Sequence, residues 1–123
     1  MTDTALQESE SRLSPETADR HRAIASLQEE LEAIDRYDQR IDATNDPGLA
    51  SVLAHNRDEE KEHAAMMLEW LRRHDPVLDR HLRTYLFTAD PVTEIEVEAA
   101  AGGPSADETS GSFGIGSLRG ESL

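Results

Sequence analysis

The sequence contains no cysteine. That excludes disulfides, thiolate metal sites and cysteine nucleophiles, so any metal must be held by carboxylate and imidazole, a donor set that suits iron, manganese or zinc. Aromatic residues are also scarce, at 4% of 123 residues. With so little large apolar material a self-sufficient core is hard to build, and oligomerisation is the natural remedy. Lysine is nearly absent: Lys61 stands alone against eleven arginines, a bias from which no function follows. No run approaches the roughly 20 apolar residues of a membrane helix. The N-terminal stretch Met1 to Glu10 has neither a basic segment nor an apolar run, so no signal peptide is expected. These absences predict a soluble, cytoplasmic protein.

Acid is what the chain has in excess. The formal net charge is −14, and 31% of residues are charged. Such a surface repels nucleic acid and anionic lipid, so neither is an expected partner, and it attracts cations. Charge of this kind also serves plain solubility and does not by itself name a ligand.

The apolar residues follow helical periods. Residues 1–13 are polar and aperiodic, and are expected to form a flexible N-terminus. Ser14-Pro15-Glu16 is a helix start: a capping serine, proline at the first helical position and an acid beside the positive end of the dipole. Ile24, Leu27, Leu31, Ile34 and Ile41 then recur mostly three or four residues apart, the period of an amphipathic helix, which fades over Asp42 to Asn45. Asp46-Pro47 opens a second helix by the same logic. Its seam reads Leu49, Leu53, Asn56, Glu60, His63, Met67, Trp70, in regular alternating steps of four and three. His74-Asp75-Pro76 closes it and starts a third, shorter helix with Val77, Leu78, Leu82, Tyr85 and Leu86 on its apolar face. The short connection between the long helices makes them antiparallel neighbours. From about Thr88 the pattern decays into the linker composition of Ala101 to Gly111. Beyond that, Phe113, Ile115 and Leu118 stand at the end of a tether, where apolar residues mark a short recognition peptide. The expected division is a helical hairpin domain over 14–96, a linker over 97–111 and a peptide over 112–123.

The middle of the second seam is polar, and that carries the chemistry. A buried carboxylate without a partner is costly. Glu60 and His63 stand three apart on one helical face, within reach of a common ion. Glu-x-x-His is the chelating unit of carboxylate-bridged di-iron helical bundles. On the first helix Glu30 falls within ~40° of Ile34 and ~20° of Ile41 at ~100° per residue, so an antiparallel hairpin brings it to the same depth. A di-iron bundle needs two lone glutamates and two Glu-x-x-His units on four helices; this chain offers one of each on two. A two-fold dimer supplies the missing half, since an isologous interface presents each residue twice. The expected fold is therefore all-α: an antiparallel two-helix hairpin with a short third helix, dimerising into a four-helix, ferritin-like bundle. Spacing alone leaves other readings open. Glu60 and His63 also fit a solvated ion pair, Glu29, Glu32, Glu59 and Glu62 a solvated acidic face, and Tyr37 ordinary packing or a redox-active residue beside the metal. His21 and His55 read as hydrogen-bonding residues.

Three blocks carry a family resemblance: residues 20–40, including Glu29-Glu30-Leu31-Glu32 and Tyr37-Asp38-Gln39-Arg40; Ala54 to Ala65 followed by Leu68 to Arg73; and Leu82 to Thr88. Across about residues 16–95 the chain resembles the encapsulated ferritins. Separately, Gly114-Ile115-Gly116-Ser117-Leu118-Arg119 is similar to the peptide by which cargo docks inside encapsulin shells. The resemblance implies hairpins that dimerise and assemble into rings, typically of ten subunits, with a di-iron ferroxidase site between two subunits. It implies Glu30, Glu60 and His63 of each chain as iron ligands, Glu29 and Glu32 as an acidic site where iron enters, and Tyr37 close to the metal. It further implies oxidation of Fe(II) to Fe(III) by oxygen, with the mineral held in the shell because an open ring cannot store it. Arg36 departs from the pattern: members carry tryptophan there, and an arginine adds positive charge beside the site. The expected function is a ferroxidase loaded into an encapsulin nanocompartment through Gly114, Ile115, Gly116, Ser117 and Leu118. Two alternatives use the same ligands: a non-catalytic, metal-dependent assembly module and a peroxide-reducing di-iron cargo protein.

Overall fold

Three polar caps, each followed by proline, set where the helices begin. The computed structural model describes residues 5–102. After a 3-10 turn at Glu10–Arg12 come four helices: α1 (Pro15–Ala43), α2 (Pro47–Arg73), α3 (Pro76–Tyr85) and α4 (Val92–Ala100). No strand occurs among the described residues. The Ser14 side chain accepts from the Thr17 N–H, that of Asp46 from Gly48 N–H and that of Asp75 from Leu78 N–H. Each satisfies a backbone donor that the first turn would leave free, and each proline stands where no donor is needed. Arg40 in the last turn of α1 and Arg72 and Arg73 in that of α2 complement the negative ends of the helix dipoles. Arg72 and Arg73 both bind Glu69, at 2.8 and 2.7 Å, and hold its carboxyl down at about 2.

The chain divides into two units, one through His74 and one from Asp75. In the first, α1 and α2 pack together along their length. Asp38 binds Arg57 at 3.0 Å, Glu30 meets His63 at 3.8 Å, and Arg20 Nη1 donates to the His74 carbonyl at 3.5 Å. Partners on α1 move back toward its start as partners on α2 move toward its end, which is the register of an antiparallel hairpin. In the second unit α3 packs against α4. α3 ends at Tyr85 with Leu86 as its C-cap, and the following Phe87 takes φ 62°, the left-handed conformation that commonly closes a helix but strains a bulky residue.

Two details differ from the sequence pattern. The residues of α2 buried against α1 are Ala64 and Leu71, one position on from His63 and Trp70. The interhelix face is thus turned away from the expected seam, and His63 is left at its edge. The second difference is α4, a helix of nine residues where the periodicity had decayed. It crosses position 97, where the linker was expected to begin.

Candidate metal centre

Glu30 projects from the middle of α1, and Glu60 and His63 from one face of the middle of α2. Because the hairpin is antiparallel, the two middles meet. One ligand atom from each of the three residues lies within 4.8 Å of the others. His63 Nδ1 stands 3.2 Å from Glu60 Oε1 and 3.8 Å from Glu30 Oε1. The glutamate side chains are mostly covered, at 24% and 26% exposure, whereas the imidazole is 46% exposed. The carboxylates therefore face into the hairpin, and the histidine marks the open side.

Packing these groups together divides their protons unequally. A hydrogen bond to Glu60, then burial, then the Glu60 charge hold the Glu30 carboxyl above the ordinary carboxylate range. The same hydrogen bond, followed by that from His63, holds Glu60 below it. His63 is raised, chiefly by its hydrogen bond to Glu60 and then, against some desolvation, by the Glu30 charge. The arrangement is a proton shared between two carboxyl groups beside an imidazole that favours its cationic form. A divalent cation offers the same charge compensation by displacing those protons. Two carboxylates and one imidazole within reach of a single point are a donor set suited to iron.

The open side continues as a broad face. At ~100° per residue, Val52, Met66 and Trp70 lie within ~60° of His63 on α2. Val52 is 58% and Met66 63% exposed. Toward the end of α2, Asp19, Arg22, Ala23, Ser26, Met67 and Trp70 line a shallow groove of about 330 Å³. Trp70 is stacked on His74 at 3.8 Å between ring centroids.

The other expected site residues are not members of the cluster. Glu29 is exposed. Glu32 pairs with Arg36 at 3.7 Å, so the arginine sets a positive charge beside that acid. The Tyr37 ring is covered by the Arg40 guanidinium, 5.6 Å from its centroid. His55 pairs with Glu59 at 3.9 Å. Gly114, Ile115, Gly116, Ser117 and Leu118 lie outside the described residues. Sequence reasoning missed the Arg57–Asp38 pair beside the cluster. Its signal was present: Arg57 stands seven residues before Ala64, on the same stripe of the helix.

Fold and cluster together define an all-α hairpin protein with a carboxylate–imidazole cluster between its long helices, a group of side chains that could hold a metal ion. Residues 5–89 match the EncFtn-like family model, and the chain belongs to that family. It is 59% identical over 117 residues to an encapsulated ferritin-like protein of Rhodospirillum rubrum, covering 89% of this chain and 84% of that one. A ferritin-like protein of Thermotoga maritima is 54% identical over 79% of this chain and 82% of its own. An encapsulin nanocompartment cargo protein of Myxococcus xanthus is 33% identical over 76% and 79%. Among solved structures, a protein of Nitrosomonas europaea aligns with a TM-score of 0.69 and 60% identity, over 71% of this chain and 96% of that one.

Proposed function

We propose that the protein is a ferroxidase whose di-iron site is completed by a second copy of the chain. The observation that carries this reading is the convergence of Glu30, Glu60 and His63 within 4.8 Å, with the imidazole open to one side. One chain supplies a lone glutamate and one Glu-x-x-His unit, half of what a di-iron bundle requires. A second hairpin laid on the His63 face by two-fold symmetry supplies the rest. The same face carries Val52 and Met66, whose exposed apolar surface a partner would cover.

Fe(II) is the substrate. Carboxylate oxygens stabilise Fe(III) over Fe(II), so the site favours loss of one electron from each iron, and dioxygen accepts them. Glu30 and Glu60 bind and orient the ions once their shared proton is displaced, and His63 supplies the nitrogen donor. The acidic surface raises the local concentration of Fe(II), with Glu29 and Glu32 as the outer acids where iron enters and Tyr37 near the centre. In this reading the subunits assemble further into a ring of ten. The C-terminal segment Gly114 to Leu118 docks to an encapsulin shell that retains the product, in keeping with the encapsulated and cargo relatives.

Replacing Glu30 or His63 with alanine is expected to abolish rapid oxidation, followed as Fe(III) absorbance and oxygen consumption after anaerobic Fe(II) is mixed with air-saturated buffer. Unchanged rates in both variants would overturn the assignment. Oxidation driven only by peroxide would move the protein to peroxide reduction.

A further inference from the structure

We propose that Arg57 is a positioning residue: its bridge to Asp38 sets the spacing and rotation of α2 against α1 that bring Glu30 opposite Glu60 and His63. The proposal rests on the metal-site reading. Arg57 lies on the α2 stripe that faces α1, since at ~100° per residue it is within ~20° of Ala64 and ~40° of Leu71. Those two are the buried residues of α2. An apolar side chain is the ordinary occupant of such a stripe, yet here stands an arginine whose side chain is only 25% exposed. It crosses the seam to donate from Nη1 to Asp38 Oδ1 at 3.0 Å and from Nε to Asp58 Oδ1 at 3.1 Å.

The position matters because of what surrounds it. Glu60 is three residues further along α2, about one turn. The buried residues around it are Ala23, Ala64 and Leu71. The two alanines permit close approach and say little about rotation. The turn over residues 44–46 ties the helices at one end, and Arg20 meets the His74 carbonyl at the other. Between these points, Arg57–Asp38 fixes the helices directly beside the ligands. Its long side chain also holds the axes apart where three polar side chains must fit. A seam charge left unpaired is penalised, so the pair selects one rotation of α2; setting register is the best-attested use of polar groups in helix seams.

The test uses the full chain and cobalt(II), which binds without being oxidised by the site. The double variant Asp38→Leu/Arg57→Leu removes the bridge without leaving either charge unpaired. The expected result is an unchanged melting temperature without metal, with cobalt affinity lowered about tenfold or more, as for groups that orient metal ligands. Arg57→Lys keeps the charge and is expected to retain part of the affinity. Should the double variant fail to fold, Asp38→Asn, a conservative change at an exposed residue, is read in its place: weaker cobalt binding supports the proposal and wild-type affinity overturns it. Wild-type cobalt affinity in the folded double variant overturns it likewise. Glu30→Ala separates the two readings. If it binds cobalt as well as the wild type does, the metal site itself is wrong and the positioning role falls with it. If it loses cobalt while the Asp38 variants retain it, only the positioning role is wrong.

Discussion

At the scale of single residues, the cluster is a competition between protons and metal. Glu30 and His63 both have raised proton affinity, each chiefly through a hydrogen bond to Glu60. Binding a cation requires ionised carboxylates and a neutral imidazole. With the His63 value raised above its ordinary range by the Glu60 hydrogen bond, the imidazole holds its proton more firmly, so metal affinity rises with pH and falls on acidification. Calorimetric titration with cobalt(II) between about pH 8 and about pH 6 is expected to show affinity falling toward roughly tenfold per pH unit once the imidazole is protonated. Proton release is expected in buffers of differing ionisation enthalpy. In His63→Ala the pH dependence over this window flattens. An affinity independent of pH in the wild type would contradict the ligand assignment.

At the scale of elements, helix beginnings were the most legible feature of the sequence. Ser14-Pro15, Asp46-Pro47 and Asp75-Pro76 each state a cap and a first helical residue, and each cap hydrogen bond is formed. α4 had no such signal. Its N-cap position is Pro91, with no side-chain cap hydrogen bond, and Val92, Ile95 and Val97 are too few to establish a period before the glycines begin. The rotation of α2 was legible only in part. Steps of four and three placed Glu60 in the seam, but the partner helix decides which neighbouring stripe is buried. Here small Ala64 and Leu71 face α1, and the bulkier Met66 and Trp70 lie off that stripe. Arg57 escaped notice because an arginine in a charged helix reads as surface. The cap at Asp46 governs the turn that makes the hairpin. Asp46→Ala is expected to cost about 1 kcal/mol in denaturant unfolding at matched protein concentration, with the helical content of the folded state unchanged.

At the scale of the whole molecule, the described residues bury few apolar side chains, and in the proposed reading they hold half of a di-iron site. Among the described residues the buried apolar side chains are Ala23, Ala64 and Leu71, while Ile24, Leu31, Val52, Met66 and Phe87 are exposed. No helix among those residues is long and apolar enough to cross a membrane. The three ligands converge from one chain but leave the histidine side open. In the proposed dimer a second copy would cover the exposed Val52 and Met66 and complete the cluster on the His63 side, and metal binding would then be linked to association. The proposed dimer rests on arithmetic that the sequence alone supplies: one glutamate and one Glu-x-x-His where a di-iron bundle uses two of each. The most direct test is native mass spectrometry of the protein before and after anaerobic addition of Fe(II). The account predicts even-numbered oligomers carrying two irons per dimer. Monomers that bind no iron would contradict it, and would make the Glu60–His63 seam a structural ion pair.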